Sequence, residues 1–119
     1  MGILRKFKYI RTKAEANYRL KQIYKVLRGD QLFCRFTKRL VEEMGADATL
    51  ESVDDDMLIS IDPTQSFIPC IVHECLHIVM NSDDEVLIGR MEQELMHWIT
   101  SRQCNNLYKR TYDAFARQM

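Results

Sequence analysis

The pentapeptide His73-Glu74-Cys75-Leu76-His77 constrains the fold most, because it sets two histidines and a glutamate inside an apolar segment. Isoleucine and valine flank it on both sides, so a helix through it is expected to be largely buried. Residues four positions apart lie on one helix face, about one turn apart. His73 and His77 can therefore present two imidazole nitrogens to one metal ion, which would satisfy both buried groups. Glu74 lies close enough to take a proton from a metal-bound water.

Two helices are predicted in the N-terminal third of the chain. Thr12 and Glu15 form a capping box, and apolar residues then recur at helical spacing until Gly29: Leu20, Ile23, Tyr24 and Leu27. Asp30 can cap a second helix that ends at Gly45. Its apolar stripe comprises Leu32, Phe33, Phe36, Leu40 and Met44.

The composition changes to that of a β-hairpin over residues 48–61. Thr49–Val53 and Met57–Ile61 are predicted strands, with the turn at Asp54-Asp55-Asp56. Asp62-Pro63 ends the second strand, because proline removes a ladder donor. Ser66 can then cap the motif helix, which tolerates Pro69 in its first turn and is predicted to continue to Met80.

A long helix is predicted after the motif. Ser82 and Glu85 form a second capping box, and the helix extends through Gln103, with an interruption at Cys104–Asn106. A last amphipathic helix follows, with Leu107, Tyr108, Thr111, Tyr112 and Phe115 on its apolar side. The predicted fold is therefore α+β, with residues 1–119 forming a single domain.

A catalytic metal site needs a third protein ligand, and the favoured candidate is Glu92. Its one-turn helical neighbours are apolar or lack a side chain: Ile88, Gly89, Leu95, Met96 and Ile99. A carboxylate in such surroundings is costly unless it is paired, and a metal ion would pair it. Gly89 would also let another backbone approach closely.

Three other residues remain candidates for the third ligand. Glu94 can form an ordinary ion pair with Arg90 one turn away, and His97 lies on the more polar side of the helix. Glu85 shares the face of Glu92, but its expected capping role already accounts for it. These alternatives rank below Glu92.

The four cysteines show no paired C-x-x-C spacing, which favours reduced thiols in a cytoplasmic protein. Cys70 shares a helix face with both histidines, and a buried thiol is the favoured interpretation over a structural metal ligand. The sequence has no secretory signal and no apolar run of eighteen residues, so no membrane partner is expected. It does not indicate an oligomeric state.

The charge is distributed unevenly, although the formal net charge is zero. Residues 1–39 carry twelve Lys or Arg against two acidic residues, and residues 40–94 carry fourteen Asp or Glu against Arg90 alone. Solvated faces that attract each other within the fold are the favoured interpretation. Nucleic-acid binding by the basic N-terminal helices is the less favoured one.

The predicted order of elements resembles that of the gluzincin metallopeptidases: a strand, a turn, the His-Glu-x-x-His helix and a glutamate on a following helix. Within that group, this short chain most resembles the minimal single-domain minigluzincins and related small metallopeptidase-like proteins of prokaryotes and phages. The residues that carry the resemblance are His73, Glu74, His77, Glu92 and the strand Met57–Ile61, within roughly residues 48–103.

This resemblance implies a zincin-like domain and a zinc-dependent endopeptidase, with His73, His77 and Glu92 as zinc ligands and Glu74 as the general base. It also implies that the preceding strand binds peptide or protein substrate in extended form by β-augmentation, through Met57, Leu58, Ile59, Ser60 and Ile61. Such enzymes usually supply a Tyr or His to stabilise the tetrahedral intermediate.

Tyr108, Tyr112 and His97 are the candidates for that role here, and no motif marks any of them. Asp113 or a backbone carbonyl is expected to orient a ligand histidine. A latent or non-catalytic zinc-binding regulatory module is the alternative function.

Overall fold

A computed structural model describes residues 9–29, 32–36, 48–61 and 67–116. Four helices and three strands follow one another along these residues. In chain order they are α1 (Lys13–Arg28), β1 (Leu32–Phe36), β2 (Ala48–Val53), β3 (Asp56–Ile61), α2 (Phe67–Met80), α3 (Glu85–Trp98) and α4 (Ser101–Ala116). The α+β prediction is confirmed.

The three strands form one mixed sheet in the order β1-β3-β2. β2 and β3 are the predicted antiparallel hairpin, in register from Ala48 opposite Ile61 to Val53 opposite Asp56. The turn between them contains Asp54 at a φ of 55°. Aspartate tolerates this left-handed backbone better than most residues, which explains why the acidic run marks the turn.

The predicted second helix is wrong over residues 32–36, which form β1 and pair in parallel with β3. Leu32 and Cys34 are both buried, as alternate residues of a strand with one face on the core are. Two phenylalanines in a five-residue strand also suit a pleated surface. The proposed cap at Asp30, the stripe residues Leu40 and Met44 and the end at Gly45 lie outside the described residues.

Helix α1 begins as the capping box predicts. Thr12 Oγ1 accepts a hydrogen bond from the Glu15 backbone N–H at 3.1 Å, and Glu15 in turn accepts from the Arg11 N–H at 2.7 Å. The helix ends at Arg28, with Gly29 as its C-cap. Its buried face is nearly the predicted one: Ala16, Leu20, Ile23 and Leu27.

The motif helix α2 lies at the centre of the molecule, where it contacts the three other helices and both strands of the hairpin. Ile71, Val72, Cys75 and Leu76 are fully buried, which confirms the expected burial of this helix. Within the described part of the chain, no helix combines the length and apolarity needed to cross a lipid bilayer.

The C-terminal helices divide at a different place from the one predicted. α3 ends at Trp98, and Cys104–Asn106, the predicted interruption, lie inside α4. Thr100 and Gln103 form a reciprocal capping box there: the Gln103 N–H donates to Thr100 Oγ1 at 3.2 Å, and the Thr100 N–H donates to Gln103 Oε1 at 3.0 Å. This box starts a new helix one turn before the asparagines.

Candidate metal centre

The C-terminus of α2 is closed by a turn that also orients a histidine. Asn81 has a φ of 48°, and its N–H donates to the Ile78 carbonyl, while the Ser82 N–H donates to the His77 carbonyl. These two bonds are the Schellman pattern, with asparagine in the left-handed position. The turn therefore places Ser82 directly beside His77.

The Ser82 carbonyl oxygen is the partner of His77 Nδ1, at 2.6 Å. A carbonyl oxygen only accepts hydrogen bonds, so Nδ1 carries the proton and donates it. A neutral His77 must then have its lone pair on Nε2. That atom lies 2.8 Å from Glu85 Oε1.

Glu85 is the first residue of α3 and reaches both histidines. Its Oε2 lies 2.9 Å from His73 Nε2, while its Oε1 faces His77. Asp84 is the N-cap of α3, since its carboxylate accepts from the N–H groups of Val86 and Leu87. The Glu85 carboxylate is therefore not needed as a cap, contrary to the expected Ser82–Glu85 box.

His73 is held on its other nitrogen by Glu92, whose Oε1 lies 2.9 Å from Nδ1. An ionised carboxylate only accepts, so Nδ1 carries a proton here as well. The hydrogen bond to Glu92 is the main cause that raises the pKa of His73 to about 9; burial opposes it, and Glu85 and Glu74 add to it. The site thus favours a positive charge at His73.

Three electron-rich atoms converge between α2 and α3: the Nε2 atoms of His73 and His77 and a carboxylate oxygen of Glu85, all within 4.8 Å of one another. Neutral imidazoles would point two lone pairs at a carboxylate, which is repulsive. A cation among these atoms, either a proton or a metal ion, removes the repulsion. We call this group the His73–His77–Glu85 cluster.

Glu74 lies next to this cluster and is 7% exposed. Burial raises the pKa of its carboxyl group, and the two histidines partly offset that effect. Glu74 also lines a cleft of about 280 Å³ together with His77, Glu85, Asp83 and the β2 residues Ala48, Thr49 and Leu50. A basic carboxylate beside a candidate metal site, with access to a cleft, is what hydrolysis by an activated water requires.

The structure brings His73, Glu74 and His77 together as predicted, but it does not bring Glu92 into the cluster. Glu92 contacts the far nitrogen of His73, the position where a metal-binding histidine usually donates to a carboxylate. Its role as a ligand stays a prediction, and the geometry favours Glu85 instead. The Ser82 carbonyl is the expected backbone group that orients the other histidine.

The other two third-ligand candidates lie away from the cluster. Glu94 Oε1 accepts from the backbone N–H groups of Tyr9 and Ile10, at 2.7 and 2.9 Å. His97 is exposed and packs edge-on against Trp98. The packing argument for Gly89 also fails, because a Cβ there would meet nothing within 4 Å.

The predicted substrate strand must be corrected. β3 is the middle strand of the sheet, and both of its edges are paired, so it has no free edge for a substrate. It contains all of the predicted substrate-binding residues: Met57, Leu58, Ile59, Ser60 and Ile61. β2 is an edge strand, and its first three residues border the cleft. Among the described strands, none pairs with the outer edge of β2.

The candidate tyrosines for the oxyanion role are exposed aromatic residues of α4. Tyr108 and Tyr112 stack on Phe67, with ring centroids 4.9 and 6.3 Å apart. Neither is among the residues that line the cleft. The arrangement therefore assigns no residue to that role.

The sequence contains a signal that Glu85 faces the motif and does not cap α3. Three consecutive residues before it, Ser82, Asp83 and Asp84, can all cap a helix. Choosing Asp84 rather than Ser82 as the cap leaves Glu85 free to face the motif.

Comparison with known proteins found no matching family model, no matching curated protein and no matching solved structure.

Proposed function

We propose that this chain is a zinc-dependent endopeptidase that hydrolyses peptide bonds with an activated water. The observation that carries the proposal is the convergence of three electron-rich atoms in the His73–His77–Glu85 cluster, beside the buried carboxylate of Glu74. Two imidazoles and one carboxylate are a donor set found in catalytic zinc sites, where the fourth position holds water or substrate.

The surroundings of the cluster support metal binding rather than simple ion pairing. Each histidine donates its remaining N–H to a fixed acceptor, His73 to Glu92 and His77 to the Ser82 carbonyl. Such outer partners set the tautomer and ring orientation of metal-binding histidines. An ordinary ion pair would need only one of these contacts.

A bound zinc ion would lower the pKa of its water towards 7 and polarise the carbonyl group of the scissile peptide. Glu74 would take a proton from the attacking water and return it to the leaving nitrogen. The raised pKa of Glu74 makes its carboxylate a stronger base than an exposed glutamate. Glu92 and the Ser82 carbonyl would hold the two imidazoles still during this transfer.

An extended substrate has one suitable place beside this site. Ala48, Thr49 and Leu50 of β2 line the cleft together with Glu74 and His77, and no described strand pairs with the outer edge of β2. A peptide that paired with this edge would lie alongside Glu74. Substrate binding by strand addition is thus proposed for β2 instead of β3.

The test combines metal analysis with cleavage of a quenched-fluorescent peptide library. We expect about one zinc per chain, and cleavage that falls by a factor of about 10² to 10⁴ in Glu74→Gln, which keeps the size and shape of the side chain. Glu51→Gln on β2 is the matched control, because this exposed glutamate does not line the cleft. If the unaltered chain and Glu74→Gln both retain zinc but show no Glu74-dependent cleavage, the non-catalytic zinc-binding module is favoured. Absence of zinc would contradict both the peptidase and the zinc-binding module.

A groove on α1 supports nucleic-acid binding as a second candidate function. The groove has a volume of about 510 Å³, and the residues that line it include Tyr18, Lys21, Gln22, Lys25 and Val79. Tyr18 is 59% exposed and could stack on a base, while the lysines could contact phosphates. Salt-dependent binding of a single-stranded oligonucleotide, lost in Lys21→Gln/Lys25→Gln, would support it; no binding at low salt would contradict it.

A further inference from the structure

Asp83 lines the cleft that the first residues of the edge strand β2 also line. It lies in the connection between α2 and α3, is exposed, and lines the same cleft as Glu74, His77 and Glu85. The first residues of β2, Ala48, Thr49 and Leu50, line it as well. A peptide along the edge of β2 would therefore pass Asp83.

Among the described residues, no contact gives the Asp83 side chain a structural role. Each neighbour in this connection has a structural role: Asn81 takes the left-handed position, Ser82 Oγ accepts from the Asp84 N–H, and Asp84 caps α3. Within the described part of the chain, the Asp83 carboxylate makes no hydrogen bond or ion pair. Its charge is available to a ligand.

A second observation also points to a ligand in this cleft. The Glu74 side chain is more than nine-tenths buried and lines the cleft, yet among the described residues it has no hydrogen-bond partner. The Glu74 oxygens are not among the fully enclosed polar atoms that lack a partner, so the carboxylate opens into the cleft and can accept a hydrogen bond from a ligand there.

The charge balance of the cleft singles out Asp83. Among the described residues, no lysine or arginine lines the cleft, and Arg90 is the one lysine or arginine between positions 40 and 94 of the sequence. A divalent metal ion bound by neutral histidines would be balanced by Glu85 and Glu74. The carboxylate of Asp83 would then be the uncompensated charge of the cleft wall.

We propose that the cleft selects peptides with a lysine or arginine near the scissile bond, and that Asp83 is the specificity-determining residue that pairs with this side chain. The inference rests on the proposed peptidase function and names its substrate class. Because Asp83 is exposed, the effect is that of a surface ion pair, about twofold to fivefold in kcat/KM, and salt screens it.

The experiment compares peptides that differ only by Lys, Gln or Glu at one position at a time around the cleavage site. We expect the protein to prefer Lys over Gln, and Gln over Glu, at one such position. Asp83→Asn should abolish this preference, and Asp83→Lys should reverse it. Asp55→Asn is the matched control, because Asp55 is exposed in the β2–β3 turn, beyond the far end of β2, and does not line the cleft.

Failure of the inference differs from failure of the peptidase proposal. The role of Asp83 would be overturned if Glu74-dependent cleavage showed no charge preference. It would also be overturned if Asp83→Asn left the preference unchanged. The peptidase proposal would stand in both cases. If nothing is cleaved, the peptidase proposal fails, and binding of the same peptides to zinc-loaded Glu74→Gln tests the selection. Selection by the cleft is supported if Glu74→Gln binds the Lys peptide more tightly than the Glu peptide and the double variant Glu74→Gln/Asp83→Asn does not. Equal binding of the Lys and Glu peptides by Glu74→Gln overturns it.

Discussion

Two glutamates of α3, Glu85 and Glu94, each face two nitrogen atoms, but the nitrogens differ in kind. Glu94 accepts from the backbone N–H groups of Tyr9 and Ile10, which carry their protons permanently. Glu85 faces the Nε2 atoms of His73 and His77, which carry protons only when the rings are charged. The first arrangement is complete in itself and fastens the chain before α1 to α3. The second is complete only with a cation, and this difference separates a structural contact from a candidate site.

The same substitution at both glutamates tests this distinction, and the largest effect is expected at Glu85. Glu85→Ala should weaken zinc binding by at least about 100-fold, because it removes a metal ligand rather than an outer partner. Its effect on the unfolding free energy of the metal-free protein should stay below about 1 kcal/mol, since Asp84 still caps the helix. Competition titration with a zinc chelator measures the affinity. Unchanged affinity would remove Glu85 from the ligand set.

Glu92→Gln should weaken zinc binding by about 10- to 100-fold, the usual effect of losing an outer carboxylate partner of a metal-binding histidine. The amide can still accept from His73 Nδ1, so His73 should keep its orientation. The same titration measures the change. A loss larger than that of Glu85→Ala would restore Glu92 as the third ligand.

Glu94→Ala should destabilise the fold without affecting zinc. The loss of a charged acceptor for two backbone N–H groups is expected to lower the unfolding free energy by about 1–3 kcal/mol. Urea unfolding of the metal-free protein measures it, and zinc affinity should match that of the unaltered chain. Weaker zinc binding in a fully folded Glu94→Ala would mean that the two regions are not independent.

The stability of the metal-free protein should fall at alkaline pH. The pKa of His73 is raised to about 9 in the folded state, mainly by its hydrogen bond to Glu92, from about 6.5 in the unfolded chain. The contribution of the charged ring is therefore fully present below pH 6.5 and is lost as the pH rises through 9. Unfolding in urea with a chelator, compared between pH 6.5 and 9.5, measures the loss. His73→Gln should not show the same decrease.

The smallest effect is expected at Gly89, on the same helix and away from both contacts. Alanine should raise the unfolding free energy by about 0.5–1 kcal/mol, because a Cβ there meets nothing within 4 Å and glycine weakens a helix interior. Thermal unfolding measures this change. Destabilisation by Gly89→Ala would instead support the close backbone approach inferred from the sequence.

The sequence predicted the elements whose signals are local. The Thr12–Glu15 box, the hairpin around Asp54 and the buried motif helix each depend on residues within a few positions of one another. The sequence does not reveal β1, because a short apolar run fits a helix as well as a strand. Its partner strand lies 25 residues away, with Leu32 opposite Met57. The start of α4 depends on the Thr100–Gln103 box and not on the asparagines at 105 and 106.

The candidate site could be predicted to the extent that it lies on one helix. His73, Glu74 and His77 come from the periodicity of α2 alone. Their partners depend on how α2 and α3 meet, which the four residues Asn81–Asp84 decide. Burial arguments favoured Glu92 over Glu85 because they rank carboxylates by the cost of desolvation. In the structure, the Glu92 side chain is 23% exposed and is paired by His73 Nδ1. The more exposed Glu85 reaches both Nε2 atoms.

Zinc binding by His73, His77 and Glu85 is tested most directly by an anomalous difference map at the zinc absorption edge from crystals of the zinc-loaded protein. We expect one strong peak, about 2.0–2.2 Å from His73 Nε2, His77 Nε2 and a carboxylate oxygen of Glu85, with Glu92 still on His73 Nδ1. A peak between His73 and Glu92, or no peak near the two histidines, would contradict it.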